Sequence, residues 1–509
     1  MQKAPAATFC GDRGFVASQV FAPKYRGRPD GLLATLEKRF RMARTLAALS
    51  ALVVAVMLVS APHAARSRSV EQYAAPAGSG ALFLISGHGF GHGVGMGQWG
   101  AQGYALQGYT SDQILAAYYP GTVAGQATTT TIRVLLANGK KTLVISSRKA
   151  VTVEEGDGVE HTLAAGKTTL TPGLELAVDG GSPQALAPPL TFSPASRSTL
   201  TLGRAYRGRL SVDVVNGRLR AIDVLPLEQY LYGVVPAEMP SGWLPAALES
   251  QAVAARSYAL AGRRAGAPFD VSAGGQAYLG ISAETPAATR AVDATAGEVL
   301  LYNGNVADTF FSSSTGGRSQ SAADAFGPPG KPYLVSVDDP YDSISPYHDW
   351  GPVPVTGKTL GRALDVAGRV TNATVKRNSS RRAKTLTITS LVRGTTATAS
   401  VGGATARSAL GLRSTWFSVG VLSLQPPVSN APVTAGTRVV LDGVVRGVRG
   451  VVVQQRTQGM PWRELEPVTP AVGTGAIRLA VRPVVTTDYR LATARDAAAF
   501  VRIRVQPSP

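Results

Sequence analysis

At 509 residues the chain is longer than one average domain, so two or three folded units are expected. A hydrophobic share of 44% can fill real cores and excludes a disordered chain, while 56 Gly and 33 Pro beside Val- and Thr-rich runs favour strands and turns over long helices. The expected fold class is α+β and β-rich, and the formal net charge of +19 points toward anionic partners.

The first element in chain order is a targeting segment. Arg39, Arg41 and Arg44 precede an apolar run from Leu46 to Val59, and the small residues Ala61-Pro62-His63-Ala64-Ala65 follow, as in a secretory signal. Cleavage near Ala64 or Ala65 is expected, with an uncleaved membrane anchor as the alternative; either places the bulk of the chain outside the cytoplasm. Residues 1–40 sit awkwardly before such a signal, and Met42 is a more ordinary start. Cys10, the single cysteine, lies in that stretch, so the mature part would have no disulfide and no thiolate metal site. Residues 1–64 hold nine Lys+Arg and three Asp+Glu, which leaves +13 on the remainder. On an exported protein that charge suits an anionic envelope polymer better than nucleic acid; a merely soluble basic surface is the plainer reading.

Residues 66–81 read as a linker, and the run GHGFGHGVGMGQWG over 87–100 follows, with seven glycines in fourteen positions. His88 and His92 stand four apart, a spacing that makes a zinc pair only on a helix, which so many glycines disfavour. A phosphate cradle would need a Lys that is absent. A helix is expected over 111–119, with Ser111 as cap, and Pro120-Gly121 closing it.

From about 130 to 222 alternating strands, with turns at Asn138-Gly139, Asp179-Gly180-Gly181 and Asn216-Gly217, predict an inserted β-rich module. Residues 226–235 and 245–261 read as helices, joined by a non-helical bridge, PAEMPSGW. Short strands resume over 270–340 and 371–401, and 407–422 close the unit. A proline-rich linker at 425–432 leads to five alternating runs over 433–509, which predict an immunoglobulin- or fibronectin-like β-sandwich serving as spacer or binding module.

Glu238 is the candidate acid. Val235, Pro236, Met239, Pro240 and Trp243 surround it, and an apolar setting disfavours the charged carboxylate and raises its pKa toward general-acid duty. The bland alternative is a solvated loop glutamate. Arg256, flanked by small residues on the following helix, could approach a carboxylate or a sugar hydroxyl, or could be a helix-surface arginine.

These stretches carry a family resemblance. LPLEQYLYGVVPAEMPSGWLPAALESQAVAARSYAL, GGQAYLG, FFSSSTGGRS, PYLVSVDDPYD, SPYHDW and GHGVGMGQWGAQGYALQGYTSDQILAAYYPGT together resemble the SpoIID/LytB domain family over roughly residues 82–422. The resemblance implies a SpoIID-like domain over 82–424 acting on peptidoglycan glycan strands. It further implies a lytic transglycosylase that cleaves the MurNAc–GlcNAc bond and leaves 1,6-anhydro ends, with Glu238 at the position of the family's catalytic acid. Gln251 and Arg256 match the family's types and are candidates for holding the glycan, as are Gln276, Tyr278, Ser313, Ser314, His92 and Gln98. No cofactor is implied, and a Cys/His metal site described for some members does not carry over. Glu249 departs from the family's usual lysine, and the glycine block precedes the glutamate block by about 140 residues instead of following it. Glu228 is expected to face solvent. The alternative function from the same resemblance is a non-catalytic glycan binder that modulates a cell-wall amidase; a two-carboxylate hydrolase is a third. No nucleic-acid partner is expected, and membrane contact only if the signal stays uncleaved.

Overall fold

The computed structural model describes residues 80–427, 429 and 431–506. The N-terminal extension, the expected signal and most of the 66–81 linker lie outside the described residues. Among those described, no helix is long and apolar enough to cross a membrane.

Five helices pack around one core: α1 (Gln98–Leu106), α2 (Ser111–Tyr118), α3 (Leu227–Glu238), α4 (Pro245–Ala261) and α5 (Pro286–Ala294). Helix α4 is central. Pro245 occupies its first turn, where no N–H is needed, and its many alanines let α1, α2, α3 and α5 all approach it closely. Ala252, Ala254, Ala255 and Ala259 are buried, along with Leu248, Val253 and Leu260. Helix α2 starts as the sequence predicts, but Thr110, not Ser111, is its cap. The Thr110 hydroxyl accepts from the Gln113 N–H while the Gln113 side chain accepts from the Thr110 N–H, a reciprocal capping box.

Helix α3 corrects the expected non-helical bridge. It runs through Pro236 to Glu238, and the Met239 N–H still donates to the Val235 carbonyl at 2.9 Å. Proline costs a helix one hydrogen bond. Here Val234, Val235 and Met239 are all buried in the core, and their packing carries the helix one turn further.

The inserted β-rich part has its own core, built from residues such as Ile145, Val153, Leu190, Phe192, Leu210 and Val212. Its seven-stranded sheet contains Thr131–Lys140, Arg209–Val215 and Arg218–Pro226. Asn216 and Gly217 both take positive φ, at 50° and 66°, and close the last two strands as a tight hairpin. Asn138-Gly139, expected as a turn, instead lies within the strand Thr131–Lys140 beside a register shift.

The strand Leu82–His88 sits inside a five-stranded antiparallel sheet, between Asp349–Thr356 and Phe417–Leu424. That sheet continues across the proline-rich stretch: Phe417–Leu424 pairs with Val439–Arg446, which pairs with Ala476–Val481. A four-stranded sheet made by Arg463–Pro467, Val452–Thr457, Thr487–Ala492 and Val501–Ile503 faces it. Leu82, Leu84 and Leu422 share one apolar cluster with Leu441, Val453, Leu491 and Ile503, so the C-terminal strands close a two-sheet core onto the first strand of the domain.

Candidate active site

Glu238 ends α3, and its carboxylate is held from two sides. The Ala277 N–H donates to Oε1 at 2.6 Å, and the Gln98 amide donates to the same carboxylate. Gln98 Nε2 also donates to Gln251 Oε1 at 3.2 Å. Gln98 and Gln251 are buried, so this contact joins α1 to the middle of α4 inside the core. Burial pushes the Glu238 carboxyl above its ordinary pKa, against the opposing pull of the Ala277 and Gln98 donors. A partly buried carboxyl of this kind stays protonated to higher pH than a surface glutamate, which a general acid requires.

Three other carboxylates of the domain are engaged with partners of their own. Glu228 accepts from Arg256, Oε1 from Nε at 3.0 Å and Oε2 from Nη2 at 2.6 Å. Asp308 pairs with Lys331 at 2.6 Å. Asp223 accepts from the Tyr278 hydroxyl at 2.8 Å in the buried core.

Half-exposed aromatic rings stand on or next to the elements that carry Gln98, Glu238 and Gln251. Trp99 follows Gln98, Trp243 follows the Met239-Pro240 turn, and their rings meet at 4.8 Å, edge to face. Tyr258, whose hydroxyl is close enough to feel the Glu238 charge, packs on Phe310 at 5.3 Å. Phe310 then touches Phe326 at 5.2 Å and His92 at 5.9 Å. Sequence reasoning set Trp243 beside Glu238 but gave no role to Trp99, Phe310 or Gln102. Gln98 and Gln102 are four apart and so share a face of α1; Gln102 Oε1 accepts from the Leu244 N–H at 3.0 Å and fixes the turn that carries Trp243. The QWGAQ spacing was the available signal.

Two blocks far apart in sequence therefore meet, through Gln98, Glu238 and Gln251. Several other candidates serve different purposes. Arg256 is fully buried, and besides Glu228 its Nη1 donates to the Glu298 carbonyl at 2.9 Å and its Nη2 to the Val292 carbonyl at 3.3 Å. It therefore ties α4 to α3, α5 and the strand Glu298–Tyr302, and Glu228, expected at the surface, is its partner. Gln276 is buried, accepting from the Tyr230 hydroxyl at 2.7 Å and donating to the Ala255 carbonyl at 3.1 Å. Tyr278 is buried against Tyr230 and Tyr206. Ser314 is buried and donates to Asp342, which also accepts from the Thr315 and Gly316 N–H groups at 3.0 Å. Ser313 is half-buried and gives its carbonyl to the Trp99 N–H at 3.0 Å, so the 310–317 loop is the floor beneath α1.

The glycine run is a close-packed turn. A Cβ on Gly95, at φ 68°, would fall 2.0 Å from the Phe310 carbonyl oxygen, and one on Gly100 would fall 2.0 Å from the Tyr118 hydroxyl. His88 and His92 have separate partners. His88 Nδ1 meets Asp349 Oδ1 at 2.6 Å and its ring lies against Trp416. His92 Nδ1 accepts from the Val94 N–H at 3.0 Å, and burial with the charges of Arg407 and Arg382 lowers its pKa to about 4, so the ring is neutral at pH 7.

The SpoIID profile, described as stage II sporulation protein, matches residues 215–302. An uncharacterized protein of Brachyspira hyodysenteriae is 38% identical over 140 residues, which cover 26% of this chain and 38% of that one. The stage II sporulation protein D of Bacillus subtilis is 30% identical over 186 residues, 33% of this chain and 53% of its own length. The amidase enhancer of Bacillus subtilis is 36% identical over 112 residues, 22% of this chain and 15% of that protein. The chain thus spans about half or less of these relatives, and no solved structure matches it. Glu238, Gln251 and Arg256 all lie inside the segment that matches the SpoIID profile.

Proposed function

We propose that the protein is an exported peptidoglycan lytic transglycosylase. One observation carries the reading: a partly buried carboxyl, Glu238, is oriented by the Ala277 N–H and the Gln98 amide, while Glu228 and Asp308 are held in ion pairs. Conventional glycoside hydrolysis uses two carboxyl groups. A lytic reaction needs one. Protonated Glu238 gives its proton to the glycosidic oxygen, and the C1–O bond breaks with the electron pair going to that oxygen. The resulting carboxylate takes the proton of the muramic acid C6 hydroxyl, whose oxygen closes on C1 and leaves a 1,6-anhydro end. No water is consumed, and Glu238 finishes protonated. Trp99 and Trp243 offer apolar faces on which sugar rings stack, a common way to hold an uncharged glycan.

The test is product analysis by mass spectrometry after incubation with purified sacculi or denuded glycan. Anhydro-muramic ends from the wild type and none from Glu238→Gln are expected; equal product from the variant, or reducing ends only, overturns the reading.

A second reading follows from the amidase-enhancer likeness: a glycan-binding modulator of a cell-wall amidase. Sacculus binding without bond cleavage, together with a higher rate of an added amidase, would favour it. The two C-terminal sheets would then hold the protein on the wall.

A further inference from the structure

A cleft of about 730 Å³ lies where α4 ends, and the functional reading above makes no use of it. Arg133, Arg263 and Arg264 line one side, and Leu260, Leu301 and Val306 form an apolar wall. Arg263 is about 18 Å along the helix from Gln251, given a rise of ~1.5 Å per residue, which separates the cleft from Glu238.

The arginines are arranged by a carboxylate that the cleft cannot otherwise use. Asp270 has a side chain only 1% exposed, and its oxygens accept from the Arg133 N–H at 2.9 Å, Arg133 Nε at 3.2 Å, Arg133 Nη2 at 2.8 Å and Arg263 Nε at 3.2 Å. Arg263 Nη1 also donates to the Thr129 hydroxyl at 2.5 Å. One carboxylate thus fixes two of the guanidinium groups that line the cleft, while the Arg264 side chain is exposed and has no partner among the described residues. Three positive charges against one leave the cleft cationic, and fixed guanidinium forks are matched to planar oxyanions.

We propose that this cleft binds the free C-terminal carboxylate of a short peptide with small apolar side chains. The arginines take the carboxylate and the apolar wall takes methyl groups; a bare phosphate would leave that wall empty. The choice of an alanine-type peptide rests on the peptidoglycan reading, but binding here needs no glycan and no action by Glu238.

The experiment is titration calorimetry on the full chain with N-acetyl-D-alanyl-D-alanine, its C-terminal amide and inorganic phosphate. The free acid should bind at least tenfold more tightly than the amide, and Arg264→Ala and the double variant Arg263→Ala/Arg264→Ala should weaken it progressively, by tenfold or more in the double. Arg264→Ala removes a side chain without partners, so its fold, checked by circular dichroism, is not at issue. Glu238→Gln should leave the affinity unchanged, which separates this site from the cleavage reading. Equal binding of acid and amide, no binding of either, undiminished binding by the double variant, or displacement of the peptide by equimolar phosphate overturns the proposal.

Discussion

Gln98 and Gln251 are 153 residues apart and hydrogen-bonded at 3.2 Å in the buried core, and through Gln98 the contact reaches Glu238. The glycine block and the glutamate block are thereby parts of one site, whatever their order along the chain. Such a rearranged order leaves a site intact when the connected ends of the core are close in space. Here α1 and α4 pack directly on each other.

Gln98→Ala removes a donor that lowers the Glu238 pKa, so the carboxyl should hold its proton to still higher pH. Glycan cleavage requires that proton, so wild-type activity should fall as pH rises through the raised pKa. In the variant this alkaline limb should move to higher pH while the maximal rate drops roughly tenfold from lost positioning. A pH–rate profile on denuded glycan shows both; an unmoved limb would remove Gln98 from the site.

Trp243→Ala should raise KM for glycan about tenfold with little change in kcat, since stacking holds substrate and transition state alike. Steady-state kinetics with strands of defined length measure it. A loss confined to kcat would mean that the Trp99–Trp243 pair shapes the acid instead of holding sugar.

Arg256→Met takes the guanidinium from two carbonyls and from the Glu228 carboxylate, to which only the Gly297 N–H, at 3.1 Å, still donates. Breaking a buried ion pair from one side costs about 3–5 kcal/mol, so the melting temperature should drop by many degrees. Glu228→Gln/Arg256→Met should recover part of that loss in calorimetric melts. A surface arginine would show neither effect.

Asp223 is buried, and desolvation raises its pKa to about 7, from 3.8 for an ordinary aspartate. The folded state then binds more protons than the unfolded state between those values, so stability is highest at low pH and falls as pH rises toward 7, by ~4 kcal/mol at most from this group. Asp223→Asn keeps an acceptor for the Tyr278 hydroxyl and removes the charge. It should raise the melting temperature at pH 8 and do nothing favourable at pH 4, as thermal melts at the two pH values would show.

Much of the architecture was legible in residue patterns. Pro245 and Gly262 bracket α4 as read, the apolar positions Ile114, Leu115 and Tyr118 bury as their helical spacing demands, and Asn216-Gly217 closes a hairpin. These signals are local. Where packing competes with local preference the reading failed: α3 continues through Pro236 because Val234, Val235 and Met239 are buried, and Asn138-Gly139 stays in a strand held by its neighbour.

The sequence by itself determined which chemistry was available: a glutamate in an apolar block inside the stretch similar to the SpoIID family, a run of glycines no ordinary helix tolerates, and a surplus of positive charge. Tertiary structure decided which side chains meet. Arg256 and Glu228 pair because α3 and α4 pack side by side, Tyr278 and Gln276 turn inward to satisfy buried polar groups, and Trp99 and Trp243 come together from either end of a 144-residue gap. Spacing along a chain fixes the periodic face of a helix or strand; the distance between two faces depends on how whole elements fill a core, and no local pattern encodes it.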